Sequence, residues 1–367
     1  MRTVLVVGAG GSLAHAASYR PKRTSEHPPL DGDFFAKATT IAARQTTIRS
    51  GVRSVRAALA ASGQTYDPWD RGSVTMEQFF ADVYYAVASA AATSSSLPVF
   101  IETLRLYRRV LAQTTDWMTA LNRQGHLDRL LRREIDRADD GVTVVTFNHD
   151  LVLESVAAKL PRTSGRWCLR SLYGDVALRS LNWPSGRTHP NHKAGCAHRP
   201  PFELLKLHGS MNWLMRSPKI TPDFGTLFPP QRTQRQIYVA NRADIMIDAR
   251  ISAQAKPGGR SWHLWPLVVP PIYDKQRVTG MTLLQEVWDR ANAAILGADR
   301  LVLFGYSIPE ADVLARQMLR TAVRQNGSLD CVDCINPDAS VAPKVRQILD
   351  AKVVRLFVDV PAYLKWG

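Results

Sequence analysis

Apolar runs that end abruptly in small or polar residues set the pattern of this chain. Residues 142–150 read VTVVTFNHD, a mostly β-branched run that stops at Asn148, His149 and Asp150. An apolar run of this length without alternation predicts a strand buried on both faces, as in a parallel sheet. The same grammar recurs at 4–7 before Gly8-Ala9-Gly10-Gly11-Ser12, at 204–207 before His208-Gly209-Ser210, and at 301–304 before Gly305-Tyr306-Ser307. Ligands of open parallel sheets lie beyond the carboxyl ends of the strands. Four such ends predict one shared crevice, with Asn148 and Asp150 standing in it.

Between the strands the pattern changes period. Residues 38–140 read as helical, with apolar positions three and four apart over 76–90 and again over 100–122, a break at Ser94-Ser95-Ser96-Leu97-Pro98, and a further helix over 126–137. A helix is expected over 151–160, a strand over 202–213, helices over 283–296 and 309–324, and strands over 329–335 and 353–360. Strands alternating with helices predict an α/β fold: a Rossmann-like parallel sheet with helices on both faces, plus an inserted helical subdomain. The whole chain, 1–367, reads as one domain. Its core comprises 1–37, 141–160, 201–213 and 266–367. The stretch 38–140 is the helical insertion, and 161–200 and 214–265 are expected to be irregular insertions.

Composition narrows the class. Hydrophobic residues make up 45% of the 367 and charged residues 22%, the balance of an ordinary globular protein. No run of eighteen or more apolar residues predicts a membrane span. The opening residues enter a strand at once, so no signal peptide is expected, and four cysteines do not make a disulfide framework. A cytoplasmic location is the expectation. Lys and Arg number 47 against 32 Asp and Glu, a net charge of +15, which favours phosphate-rich partners. Direct nucleic-acid binding has only this charge behind it, because no helix-turn-helix, finger or basic-aromatic motif accompanies it. Arg132 and Arg133 read as a solvated face.

Candidate chemistry sits at the strand ends. Glycines after the first strand let backbone approach a phosphate at a helix N-terminus. Leu13 occupies the third glycine position of G-x-G-x-x-G, and no ribose-binding acid follows at the usual distance, so a conventional dehydrogenase is not expected. Cys196-x-His198 beside His192 lacks the two spaced ligand pairs of a structural zinc site, and Cys331-x-x-Cys334 has no partner pair. No metal is expected. His208 suits proton removal near neutrality, and strand alternation turns His149 away from its neighbours Asn148 and Asp150.

Taken together, the motifs resemble the SIR2-like, sirtuin-related family of NAD-consuming domains, in its bacterial anti-phage defence branch. GAGGS (8–12) resembles the NAD phosphate loop, and PPLDGDFF (28–35) the loop that covers the cofactor. TFNHD (146–150) looks like the TxNxD motif and KLHGSMNW (206–213) like the LHG motif with its active-site histidine. VPPIYDK (269–275), GYSIPEAD (305–312) and INPD (335–338) are similar to the tail of that branch. These anchors span nearly the whole chain.

The resemblance implies NAD as substrate. Gly8, Ala9, Gly10 and Ser12 would cradle the pyrophosphate, and Asp33 would lie in the covering loop. Asn148 would position the ribose or an attacking water, Asp150 the carboxamide, and His208 would be the base. Gly305 and Ser307 would meet phosphate or ribose, and Asn336 the adenosine side. The four-cysteine zinc module of the deacylating sirtuins has no counterpart between His208 and Cys331. The favoured expectation is therefore an NAD⁺ glycohydrolase (NADase) yielding nicotinamide and ADP-ribose, a homo-oligomeric defence effector with a co-encoded partner such as a DNA-translocating ATPase or a nuclease. Two alternatives stay open: an NAD-dependent protein deacylase or ADP-ribosyltransferase, and a non-catalytic NAD- or ADP-ribose-binding subunit of a defence complex.

Overall fold

A computed structural model describes residues 1–20, 22–63, 67–69, 74–89, 95–119, 121, 123–160, 169–174, 178–182, 187–188, 199–217, 237–240, 263–269, 281–310, 312–329, 331–351 and 353–366. Six parallel strands form its centre: β1 (Thr3–Val7), β2 (Val142–Thr146), β5 (Glu203–Lys206), β9 (Arg300–Phe304), β10 (Cys331–Ile335) and β11 (Val353–Phe357). Their order across the sheet is β11-β10-β9-β1-β2-β5. Every residue of β1 is buried, because strands pair with it on both edges and helices cover both faces. The chain lays β1, β2 and β5 in one direction, then crosses back over β1 to lay β9, β10 and β11 in the other. This is the doubly wound order whose strand direction reverses at a switch point, here between β1 and β9. The expected α/β Rossmann-like sheet is the fold of the protein.

Helix α1 (Ala9–Tyr19) leaves β1 directly, and α2 (Phe34–Ala42) begins at the Phe34-Phe35 pair. Then follow α3 (Thr46–Ala61), α4 (Met76–Ser89), α5 (Ser96–Thr119) and α6 (His126–Arg137). The sequence break at Pro98 is instead the first turn of α5, where proline is tolerated because that amide has no helical partner. A row of rings joins the covering loop to the helices: Phe34 meets Phe35 and Tyr107, Phe35 meets Trp69 and Phe79, and Phe80 meets Phe100 and Tyr107. Each of the fully buried phenylalanine rings contributes about 1.5–3 kcal/mol.

The sixth helix packs with the core. It lies against α1, against α7 (Val152–Lys159) and against the last helix, α12 (Val360–Lys365). Arg133 is no solvated arginine: its guanidinium donates to the carbonyls of Tyr363 (2.6 Å) and Trp366 (3.1 Å) and stacks on the Tyr363 ring. The expected last strand over 353–360 is shorter, stopping at Phe357. Asp359 accepts from the Ala362 amide (2.7 Å) and Pro361 enters the first turn of α12, so the chain turns helical there.

The stretches expected to be irregular carry a second sheet. After α8 (Leu169–Leu172), strands β3 (Leu178–Asn182), β4 (Arg187–Thr188), β6 (Gly209–Ser217), β7 (Ile237–Ala240) and β8 (His263–Val268) pair in the order β4-β3-β7-β6-β8. The described parts of 161–200 thus include α8, β3 and β4, and those of 214–265 are strand. The expected strand over 202–213 is two strands in two sheets, broken at Gly209, whose φ of +77° turns the chain. A Cβ there would stand 2.2 Å from the Leu267 carbonyl oxygen. Three helices complete the core: α9 (Thr282–Leu296), α10 (Val313–Gln325) and α11 (Val341–Leu349). No described helix is long and apolar enough to cross a membrane.

One buried base ties α1 to α6. The His15 ring is 1% exposed, and its Nδ1 accepts from the Leu127 amide at 3.2 Å. Burial, aided by the charges of Lys159 and His126, pushes its pKa down to about 3 from an ordinary 6.5. Between those values the unfolded chain holds a proton that the folded one refuses, so stability falls as pH drops below 6.5. His15→Asn keeps an acceptor for Leu127 and removes the titration. Thermal unfolding between pH 7 and pH 4 should show a smaller loss of Tm in the variant than in the wild type.

Candidate functional site

The strand ends stand in a row. In sheet order they present Asn336 after β10, Gly305 and Ser307 after β9, Gly8 to Ser12 after β1, Asn148 and Asp150 after β2, and His208 after β5. One fold edge thus carries all the residues read from the motifs except Asp33.

At the switch point, backbone meets backbone. Gly10 donates its N–H to the Gly305 carbonyl (3.0 Å), and Gly8 donates to that of Phe304 (3.0 Å). A Cβ on Gly8 would lie 2.6 Å from the Gly305 oxygen, and one on Gly10 2.8 Å. Gly305 itself has φ +58°, and a Cβ there would lie 2.0 Å from the Gly11 nitrogen. These glycines therefore let the N-terminus of α1 press onto the end of β9.

Ser12, 1% exposed, is the hub beside this contact. Its hydroxyl donates to Asp150 Oδ2 (2.8 Å) and accepts from Asn148 Nδ2 (3.0 Å). The same Asn148 amide donates to the Gly8 carbonyl (2.9 Å). Thr146 donates to the Val7 carbonyl (2.8 Å) and accepts the Asn148 N–H (3.1 Å), so β1 and β2 hold each other's ends. Asp150 Oδ1 accepts from the Val152 amide (3.0 Å), an Asx turn that starts α7.

Beneath Asp150 lies a buried ion pair that the motifs do not name. Lys206, 1% exposed, donates to the Asp150 carbonyl and to Glu154 Oε1 (2.9 Å), and Glu154 also accepts from the Tyr173 hydroxyl (2.7 Å). Asn212 Nδ2 donates to that hydroxyl at 2.8 Å. Burial raises the pKa of Asp150, while the Lys206 charge, the Val152 amide and the Ser12 hydroxyl pull against it. A lysine inside the apolar run LLKL was the visible signal, since lysine is almost never buried unless paired.

His208 occupies the joint between the two sheets. Its carbonyl accepts from the Val269 amide (2.8 Å), and Gly209 begins β6. Its ring is edge-on to Phe147 (centroids 5.1 Å apart), and Trp288 of α9 and His149 each stand 6.2 Å away. Phe147 in turn stacks on Tyr306 at 4.5 Å. His149 turns to the helical insertion, its Nδ1 sharing a hydrogen bond with the Tyr107 hydroxyl (2.9 Å). Tyr107, partly buried, has its pKa raised by desolvation and further by the charges of Asp150 and Asp31.

The loop over residues 28–35 engages its carboxylates with nearby backbone and side chains. Asp33 is half exposed (49%) and serves its own turn, accepting from the Leu30 amide (2.7 Å) and pairing with Lys37 (3.2 Å). Asp31 instead accepts from the Glu77 amide at the start of α4 (2.8 Å). Ser307 is exposed, and Asn336 accepts from the Asp338 amide (2.9 Å) at the end of β10. Cys331 and Cys334 are free thiols on β10, and burial pushes Cys334 up to about 12. Residues 270–275 of the VPPIYDK motif, and Cys168, Cys196, His189, His192 and His198, lie outside the described residues. Among the described residues no cluster of His, Cys, Asp and Glu suits a metal ion. The chain matches no protein-family model and no curated protein sequence.

Two stability measurements probe this site. Asp150 has a folded pKa above its ordinary 3.8, so the wild type loses stability as pH rises through that window, while Asp150→Asn keeps the shape and lacks the loss. Chemical denaturation at pH 7 should find Asp150→Asn as stable as the wild type or more so. Lys206→Ala leaves Glu154 buried without its cation, and the same measurement should show a loss of about 3–5 kcal/mol.

Proposed function

We propose that this chain is an NAD⁺ glycohydrolase of the SIR2-like kind. The observation that carries the reading is the convergence of Ser12, Asn148 and Asp150 in one hydrogen-bonded group, with His208 on the next strand end, beside the switch point of a doubly wound sheet. The row of strand ends from β10 to β5 crosses four interstrand gaps, about 19 Å. That length suits two nucleotides joined by a pyrophosphate better than one. The adenosine half would lie toward Asn336, the pyrophosphate over α1 and the Gly305 turn, and the nicotinamide riboside toward Asn148 and His208.

The residue types suit cleavage of the nicotinamide–ribose bond. That bond breaks with its electron pair going to the nicotinamide nitrogen, leaving oxocarbenium character at C1′. A water then attacks C1′, and its proton passes to His208. Asn148 spends both amide hydrogens on Gly8 and Ser12, which fixes its Oδ1 as the face offered to water or a ribose hydroxyl. An amide orients there without bringing a second charge to desolvate. Asp150, held by Ser12 and backed by Lys206, would take the carboxamide. An enzyme that depletes NAD⁺ suits a defence effector. Its oligomeric state and any activating partner belong to the same proposal.

Purified protein should release nicotinamide and ADP-ribose from NAD⁺ in equal amounts. His208→Ala and Asn148→Ala should each lower the rate by about 10²–10⁴-fold, the range for a lost general acid–base or orienting group. Oligomeric state should be recorded in the same samples. Tight NAD⁺ binding with no release from the wild type would point to the binding-subunit alternative, and turnover of acetylated peptide to the deacylase.

A further inference from the structure

We propose that Asp312 is the positioning carboxylate of His208, the group that orients the imidazole and balances its charge once it takes a proton. For its chemistry this rests on the glycohydrolase reading; the pairing itself does not. His208 Nε2 lies 4.0 Å from Asp312 Oδ1, with the two side chains 6% and 9% exposed. An opposite charge at that range in a site shielded from water favours the protonated imidazole.

The chain goes to some length to bring Asp312 there. It belongs to the loop that leaves β9, not to the neighbouring strand ends β2 and β5. Within that loop Ile308 is fully buried with φ +49°, a left-handed conformation that a β-branched residue adopts only under strain. Strain of this kind persists where surrounding contacts impose it. The Asp312 amide donates to the Pro309 carbonyl (3.2 Å), and its own carbonyl accepts from Arg316 (2.8 Å), so the turn closes directly onto α10. The Tyr306 hydroxyl donates to Asp312 Oδ2 at 3.3 Å, and Tyr306 is itself stacked on Phe147, whose edge meets His208. Phe147 thus touches both the histidine and the tyrosine that holds the histidine's carboxylate.

The neighbouring elements carry other charged or titratable groups. His149 and Asp150 come from the end of β2, Lys206 from β5, and Tyr306 from the β9 loop. Lys206 is engaged by Glu154 and the Asp150 carbonyl, Asp150 by Ser12 and Val152, and His149 by Tyr107. Among the described residues, Asp312 places a carboxylate oxygen 4.0 Å from the His208 ring nitrogen.

The test is the pKa of His208 itself, read by NMR on protein carrying ¹³C at the histidine Cε1, with His208→Gln identifying the resonance. Asp312→Asn removes the charge and keeps the shape. The expected result is a His208 pKa lower by about one unit or more in the variant, with the acid limb of nicotinamide release displaced to lower pH. An unchanged His208 pKa overturns the pairing. A lowered pKa with no nicotinamide release from either protein upholds the pairing and sinks the glycohydrolase reading. The wild type carries a second readout that needs no variant at position 312. Its Asp312 carboxyl carbon should shift with the same midpoint as His208, and a flat response through that midpoint overturns the proposal.

Discussion

The contact between the N-terminus of α1 and the end of β9 is the constraint on which the rest depends. Two backbone segments meet there with no side chain between them. Gly8 and Gly10 face the Gly305 carbonyl, and Gly305 faces Gly11 from a left-handed conformation. Any Cβ at these points would push α1 away from the sheet. The displacement would travel at once to Ser12, one turn into α1, and through its hydroxyl to both Asn148 and Asp150. A glycine-rich turn is usually read as room for a phosphate. In this chain it is first a condition for packing, and any phosphate must bind on the side of the turn that the Gly305 contact leaves open.

From that hub the site is built as layers of decreasing legibility in the sequence. The strand ends were legible because burial on both faces leaves an unbroken apolar run, and the run's end marks the edge of the sheet. Asn148, Asp150, His208 and Ser12 all follow such runs, and all stand on one edge. The α/β class followed from alternation of strand and helix, whereas the order of the strands came only with the fold. The second sheet was not legible. Several of its strands pair with segments far away in the chain, and β3 and β8 carry Arg179, Asn182, His263 and Pro266, which weaken the strand pattern. The break at Gly209 was hidden for a similar reason. Nothing in FELLKLHGSMNW distinguishes one strand from two until β8 is seen against Gly209.

The supporting charges show a third degree of legibility. Lys206 is visible as a cation in an apolar run, but its partner Glu154 comes from α7, and the Tyr173 that supports Glu154 from the turn after α8, which no local pattern connects to it. Asp33 and Asp31 illustrate the opposite case. They are two residues apart in one motif, and only the tertiary position of the Glu77 amide decides which of them reaches α4. Arg133 looked like a surface charge until α12 supplied two carbonyls and a ring for it. In each instance the residue type was visible and the partner was not, because the partner comes from another element of the fold.

This layering bears on how such a site holds charge. Asp150, Glu154, Lys206, His208 and Asp312 are all nearly sealed from water, where an isolated charge is costly. The arrangement limits that cost by pairing across elements: Lys206 of β5 with Glu154 of α7, and His208 after β5 with Asp312 before α10. The first pair joins neighbouring elements, and the second spans the ends of β1 and β2, which carry motif residues. Closing them therefore ties the ends of β2, β5 and β9 together, and loosening either one would shift that edge of the sheet. A protonation event at His208 would be felt on the far side of the switch point, at Tyr306 and the strained Ile308 turn. Chemistry at one end of the row and the shape of the other are in this way mechanically the same problem.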